Sequence, residues 1–277
     1  MTRTEPAAQD QMHRIVADFN AGRHEQARRG CEEALRRQPR DPALNHLLAA
    51  VLFASGKVEE ARSRIQASLA VRADNAPAQL LAGRIARAAE DFDQALVHFG
   101  RARELAPGGD AYVERARTLD AAGDRDRARD AWRQVVQADP ASREAAARLG
   151  RMLLEDGFPA AAAPLLERAA TENSPASAWF DLGLARHELH DAAGAAAAYR
   201  VALRKRPDDA EAAVNLGAAL QDMGDVEAAI EAYRIAYRLR PATFGVIAMS
   251  LTSAPSGRLW LDREALRQLL EYPTEGA

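Results

Sequence analysis

The apolar and small residues of this chain fall in a pattern that returns about every 34 positions. Asn215-Leu216-Gly217 matches Asp181-Leu182-Gly183. Each is followed by a helical stretch, a small-residue turn and then Ala-x-x-x-Tyr, as Ala195 with Tyr199 and Ala229 with Tyr233. Ala202 and Ala236 come three residues later, and Pro207 and Pro241 close the two units. Prolines keep the same beat elsewhere, since Pro107 and Pro140 stand 33 apart and Pro39 and Pro107 stand 68 apart, twice 34. A punctuation mark recurring at that interval predicts one structural unit per interval, and each unit is expected to be two helices, A and B, joined by a turn.

Each recurring position has a mechanical reason. A small residue on helix A (Ala49, Gly83, Ala116, Gly150, Gly183, Gly217) is expected to face the first alanine of helix B (Ala27, Ala61, Ala95, Ala128, Ala162, Ala195, Ala229). The bulky residue four places on (Cys31, Ile65, Phe99, Trp132, Leu166, Tyr199, Tyr233) is expected to fill the gap towards the next unit. Gly22, Gly56, Gly123, Gly157 and Gly224 allow the left-handed backbone that ends helix A, and proline between units stops helix B. Two departures stand out: the first unit has Ile15 at the helix-A glycine place, and Pro164 in the fifth unit predicts a kinked or late-starting helix.

These offsets resemble the tetratricopeptide repeat, a 34-residue helix-turn-helix. The resemblance implies an all-α, right-handed superhelical solenoid of about seven repeats, at about 8–41, 42–75, 76–109, 109–142, 143–175, 176–209 and 210–243. Residues 1–7 are expected to be a flexible N-terminus, and 244–277 capping helices and tail. In that tail an eighth helix A is expected near Ala242 to Leu251, a break at Ser253 to Gly257, and a last helix capped by Asp262. Trp260, just before it, is either part of the cap or a second contact for a partner.

Composition agrees, with 48% hydrophobic but only 5% aromatic residues, as close-packed alanine-rich helices need. The net charge of −3 comes from interspersed acids and bases, such as Asp124-Arg125-Asp126-Arg127, which argues against nucleic-acid binding. Lys57 and Lys205 are the only lysines, an arginine bias that a GC-rich, bacterial-type genome explains. Cys31 cannot form an internal disulfide and is expected to be a small core residue. No apolar run nears the roughly 18 residues a membrane span needs, and Met1 to Pro6 carries no apolar leader, so a cytoplasmic protein is expected. No phosphate-loop, nucleophile-elbow or metalloprotease motif occurs, and His187 with His190 has no third ligand, so neither an enzyme nor a metal or cofactor is expected.

What remains is a groove. In tetratricopeptide proteins helix-A positions 2, 5, 6, 9, 12 and 13 line the inner face, which here implies Phe53, Leu80, Leu81, Arg84, Arg87, Glu114, Arg117, Arg148, Arg151, Phe180, Leu184, His187 and Asn215. Such a face would take a protein or peptide with acidic residues and apolar anchors. Equally, the arginines could pair with Glu114, Asp120, Glu144 and Glu155 across neighbouring repeats. The carboxylate clamp of chaperone-tail binders is missing, because Leu80, Glu114 and Glu144 stand where its lysines and asparagines would be. The expected function is an interaction scaffold or adaptor. The alternatives are a self-assembling homo-oligomer and an accessory subunit of a separately encoded enzyme.

Overall fold

The computed structural model describes residues 5–253 and 263–271, and the described residues contain helices and no strand. The chain divides into two compact units, Met1–Pro140 and Ala141–Ala277. The first holds α1 (Glu5–Asn20), α2 (His24–Arg37), α3 (Pro42–Ala54), α4 (Val58–Val71), α5 (Ala76–Ala88), α6 (Phe92–Leu105), α7 (Gly109–Ala121) and α8 (Arg125–Ala138). The second holds α9 (Arg143–Glu155), α10 (Pro159–Ala169), α11 (Ala176–Glu188), α12 (Ala192–Lys205), α13 (Ala210–Asp222) and α14 (Val226–Leu239). A 3-10 turn at Pro241–Thr243, α15 (Phe244–Ser253) and α16 (Arg263–Glu271) follow. Odd-numbered helices up to α13 are the A helices and their even-numbered successors the B helices, giving an all-α solenoid of seven pairs. Trp260, Pro255, Gly257 and Asp262 lie outside the described residues.

Helix starts are set by short polar side chains. Asp41 accepts from the Leu44 N–H at 2.8 Å and Asp191 from the Gly194 N–H at 2.9 Å, and Asn75, Asp91, Asp124, Ser142, Asp209 and Asp225 do the same at their helices. Each satisfies one of the N–H groups that a first turn leaves over. The A helices end on left-handed residues. Gly22, Gly56, Gly123, Gly157 and Gly224 have φ between 72° and 81° there, but Glu90 (59°) and His190 (60°) hold the same place with a Cβ attached.

The pairing of A and B helices differs from the expected contact. A Cβ on Gly83 would lie 2.5 Å from the Phe99 ring, on Gly183 2.5 Å from Tyr199, and on Gly217 2.4 Å from Tyr233. On Gly150 it would lie 2.8 Å from Leu166. The helix-A glycine therefore makes room first for the bulky residue of its own repeat, whose side chain, an aromatic ring or a leucine, reaches across to it. In the first repeat knob and hole are exchanged: Ile15 supplies the bulk, and a Cβ on Gly30 of α2 would meet its Cγ1 at 2.8 Å. Cys31 is buried beside this contact, and burial pushes its thiol up to about 12, the behaviour of a core residue.

The second helix of the fifth repeat does not start late: Pro159 takes the first position, where a missing N–H costs nothing, and Pro164 lies inside α10, which ends at Ala169 and spans 11 residues against 14 in α12 and α14. At the C-terminal end Ile247 and Leu251 of α15 and Leu266 and Leu270 of α16 are buried against Tyr233 and Leu220. The Tyr233 hydroxyl donates to Gln221 Oε1 (3.0 Å), Gln221 Nε2 donates to the Ser250 carbonyl (2.9 Å), and Arg234 Nε donates to the Leu269 carbonyl (2.6 Å). α15 and α16 thus cap the last pair.

Two substitutions test this packing in opposite directions. Gly217→Ala should cost about 1–3 kcal/mol, because the Tyr233 ring must leave its seat. His190→Gly should gain up to about 1 kcal/mol by relieving a left-handed residue with a side chain. Urea denaturation followed by circular dichroism measures both.

Candidate functional site

Phe53, Leu80, Phe180 and Leu184 are half-buried on their A helices and pack against the cores of their own units. Phe180 lies 5.8 Å from Tyr199, ring centre to ring centre. His187 stands edge-on to Tyr199 at 6.5 Å, and its Nε2 lies 2.8 Å from Asp222 Oδ2 on the next A helix. Asn215 is half-buried. Leu81, at 9% exposure, and Glu114, at 4%, are enclosed rather than displayed. The first is a core residue of its unit, and the second is covered by arginines. Gln221 is likewise buried, in the hydrogen-bonded chain to Ser250.

The arginines are mostly engaged across neighbouring A helices. Glu114 Oε1 of α7 receives Arg84 Nε of α5 at 2.8 Å and Arg117 Nη1 at 3.4 Å, and Arg87 Nη1 is 2.7 Å from Oε2. Arg87 also lies over the Phe99 ring at 5.9 Å, so this node rests on the residue that fills the Gly83 gap. In the second unit Arg151 Nε and Nη2 each donate to one Asp181 oxygen at 2.9 Å, a two-pronged fork. Burial pushes the Asp181 carboxyl above its ordinary value while the Arg151 fork draws it back, and the same bond raises Arg151 further.

A register rule emerges. Arg84 and Arg151 stand at the ninth helix-A position, and Glu114 and Asp181 at the sixth position of the following A helix. Arg148 breaks the rule. It occupies the sixth position of α9 as a cation, is exposed, and has no hydrogen bond or ion pair among the described residues. It lines a cavity of about 370 Å³ with Arg143, Arg151, Ser177 and Asp181. Arg143 and Ser177 were not among the groove residues expected from the sequence; the break at Arg148 is the signal that points to them.

Among the described residues no group of three His, Cys, Asp or Glu side chains is placed to hold a metal ion. No described helix is long and apolar enough to cross a membrane.

Family profiles described as tetratricopeptide repeat match residues 19–85 and, in three overlapping spans, 113–178, 153–210 and 180–243. The chain belongs to the tetratricopeptide repeat family. Solved structures share the fold. PilF of Pseudomonas aeruginosa is 15% identical with a TM-score of 0.64, over 73% of this chain and 93% of that one. PilW, described as a widely conserved type IV pilus biogenesis factor, is 14% identical with a TM-score of 0.61, over 73% and 94%. A MamA protein is 22% identical with a TM-score of 0.53, over 61% and 93%. No curated protein matches the chain in sequence.

The two kinds of arginine separate in a stability measurement. Glu114→Ala should cost about 1–3 kcal/mol, because guanidiniums gathered on one enclosed carboxylate lose their counter-charge. Arg148→Ala should stay within about 0.5 kcal/mol of the parent. Chemical denaturation of both variants at neutral pH checks the contrast.

Proposed function

We propose that this chain, which its tetratricopeptide repeats make an interaction scaffold in general terms, binds a segment of another protein through its A helices, and that the segment carries acidic residues with apolar anchors. One observation supports this reading. Guanidiniums already paired inside the protein remain open on their outer edge, with side-chain exposures of 41% for Arg84, 42% for Arg117 and 45% for Arg151. They share the A-helix positions with the half-buried apolar residues Leu80, Phe180 and Leu184. A guanidinium has more donors than one carboxylate uses, so an incoming acid can share it. Apolar neighbours supply the desolvated contacts on which binding energy depends.

Site-specific photo-crosslinking tests this. A crosslinking residue replacing Arg117 or Ala218 on A helices should join one and the same partner in cells. One replacing Arg133 or Arg200, exposed on B helices, should not. Capture from the B-helix positions alone would overturn the proposal, and a crosslink to a second copy of this chain would replace it with self-assembly.

A further inference from the structure

The cavity beside Arg148 has a chemistry of its own. Its cations are Arg143, Arg148 and Arg151, and its carboxylates are Asp181, held by Arg151, and Glu144, which has a partner of its own. Arg143 and Arg148 are both exposed and have no hydrogen bond or ion pair among the described residues. The Ser177 hydroxyl on the opposite wall is likewise unengaged. Between these polar groups the wall is aliphatic, made by Ala147, Ala169, Pro175 and Ala178.

The register rule says what is missing. At the sixth helix-A position α7 and α11 carry Glu114 and Asp181, each an internal counter-ion for arginines, whereas α9 carries Arg148. A carboxylate that neighbouring repeats supply from within is replaced here by a cation facing an open cavity.

We propose that this cavity is a carboxylate-binding subsite, with Arg148 and Arg143 as its donors. Its occupant is the acidic side chain, glutamate rather than aspartate, of the segment bound along the A helices. The aliphatic wall accounts for the preference, since it covers the two methylenes of a glutamate stem while the guanidiniums take its head. Arg151, forked to Asp181, acts in addition as a positioning residue, holding α9 against α11 so that the cavity keeps its width. The inference rests on the A-helix reading above, but it depends on charge at one place, which the crosslinking experiment does not probe.

The test uses the full chain labelled with 15N, and reads the arginine Nε–H signals by NMR during titration with three probes. These are the capped peptide Ac-Leu-Glu-Glu-Leu-NH2, its Gln-Gln counterpart, and sodium glutarate. The glutamate peptide should shift the Arg143 and Arg148 signals saturably, and the glutamine peptide at least about tenfold more weakly. Arg148→Gln should lose that preference while its helicity stays that of the parent, and Arg148→Lys should keep part of it. Equal response to the two peptides, or an unchanged preference in Arg148→Gln, overturns the subsite whatever crosslinking shows. Glutarate binding as tightly as the peptide overturns the side-chain source in favour of a free dicarboxylate. Should crosslinking fail on the A helices while the peptide preference holds, the subsite stands and the wider groove reading falls.

Discussion

In four of the seven repeats a side chain lies where a helix-A Cβ would otherwise be, and this contact sets how closely the paired helices approach. Phe99, Leu166, Tyr199 and Tyr233 are fully buried over Gly83, Gly150, Gly183 and Gly217. Interiors are packed densely enough that one methyl group decides such a seat. Much else follows from it. The seated side chain fixes the A–B spacing, and that spacing fixes which helix-A positions stay half-open and carry the charged and apolar side chains described above. Arg87, lying over Phe99, ties the two levels together.

Charge in this protein is handled by position. Where an arginine at the ninth helix-A place has a carboxylate at the sixth place of the next, as with Arg84 and Glu114 or Arg151 and Asp181, the pair is largely a structural element joining successive A helices. The acid is enclosed and the guanidinium stays partly open. Satisfied pairs of this kind contribute modestly to stability but fix register, because removing one member leaves an uncompensated charge. Arg148 occupies the sixth place, where those acids stand, and has no ion pair among the described residues, so its charge is available to solvent or ligand.

The repeat was legible because its signals are local: turn glycines, terminating prolines and the alternation of small and bulky residues each act within a few positions. The contact partner of the helix-A glycine was not, since a 34-residue register says which residues recur but not how far a ring reaches. Leu81 and Glu114, expected to be displayed, show the same limit. Both lie on A helices, yet enclosure depends on the neighbouring helix, and three arginines converging on one acid cannot be counted from spacing alone. Pro164 suggested a late start for the helix, yet α10 begins in register at Pro159 and is short only at its other end, which spacing does not reveal. Arg143 escaped notice because it lies outside the usual groove positions, and only the burial of its neighbours gives it a cavity to line.

The exchanged contact of the first repeat bears on how such an array can change over generations. Ile15 fits Gly30 as Phe99 fits Gly83, but with bulk and space on opposite helices. Because each match is completed inside one repeat, a crossover falling between repeats inherits matched halves, whichever version it carries. A crossover at the A–B turn can bring Ile15 against a ring, or a glycine against Gly30, giving a collision or a hole. The helix pair is therefore the smallest piece of this chain that can be duplicated, deleted or traded intact.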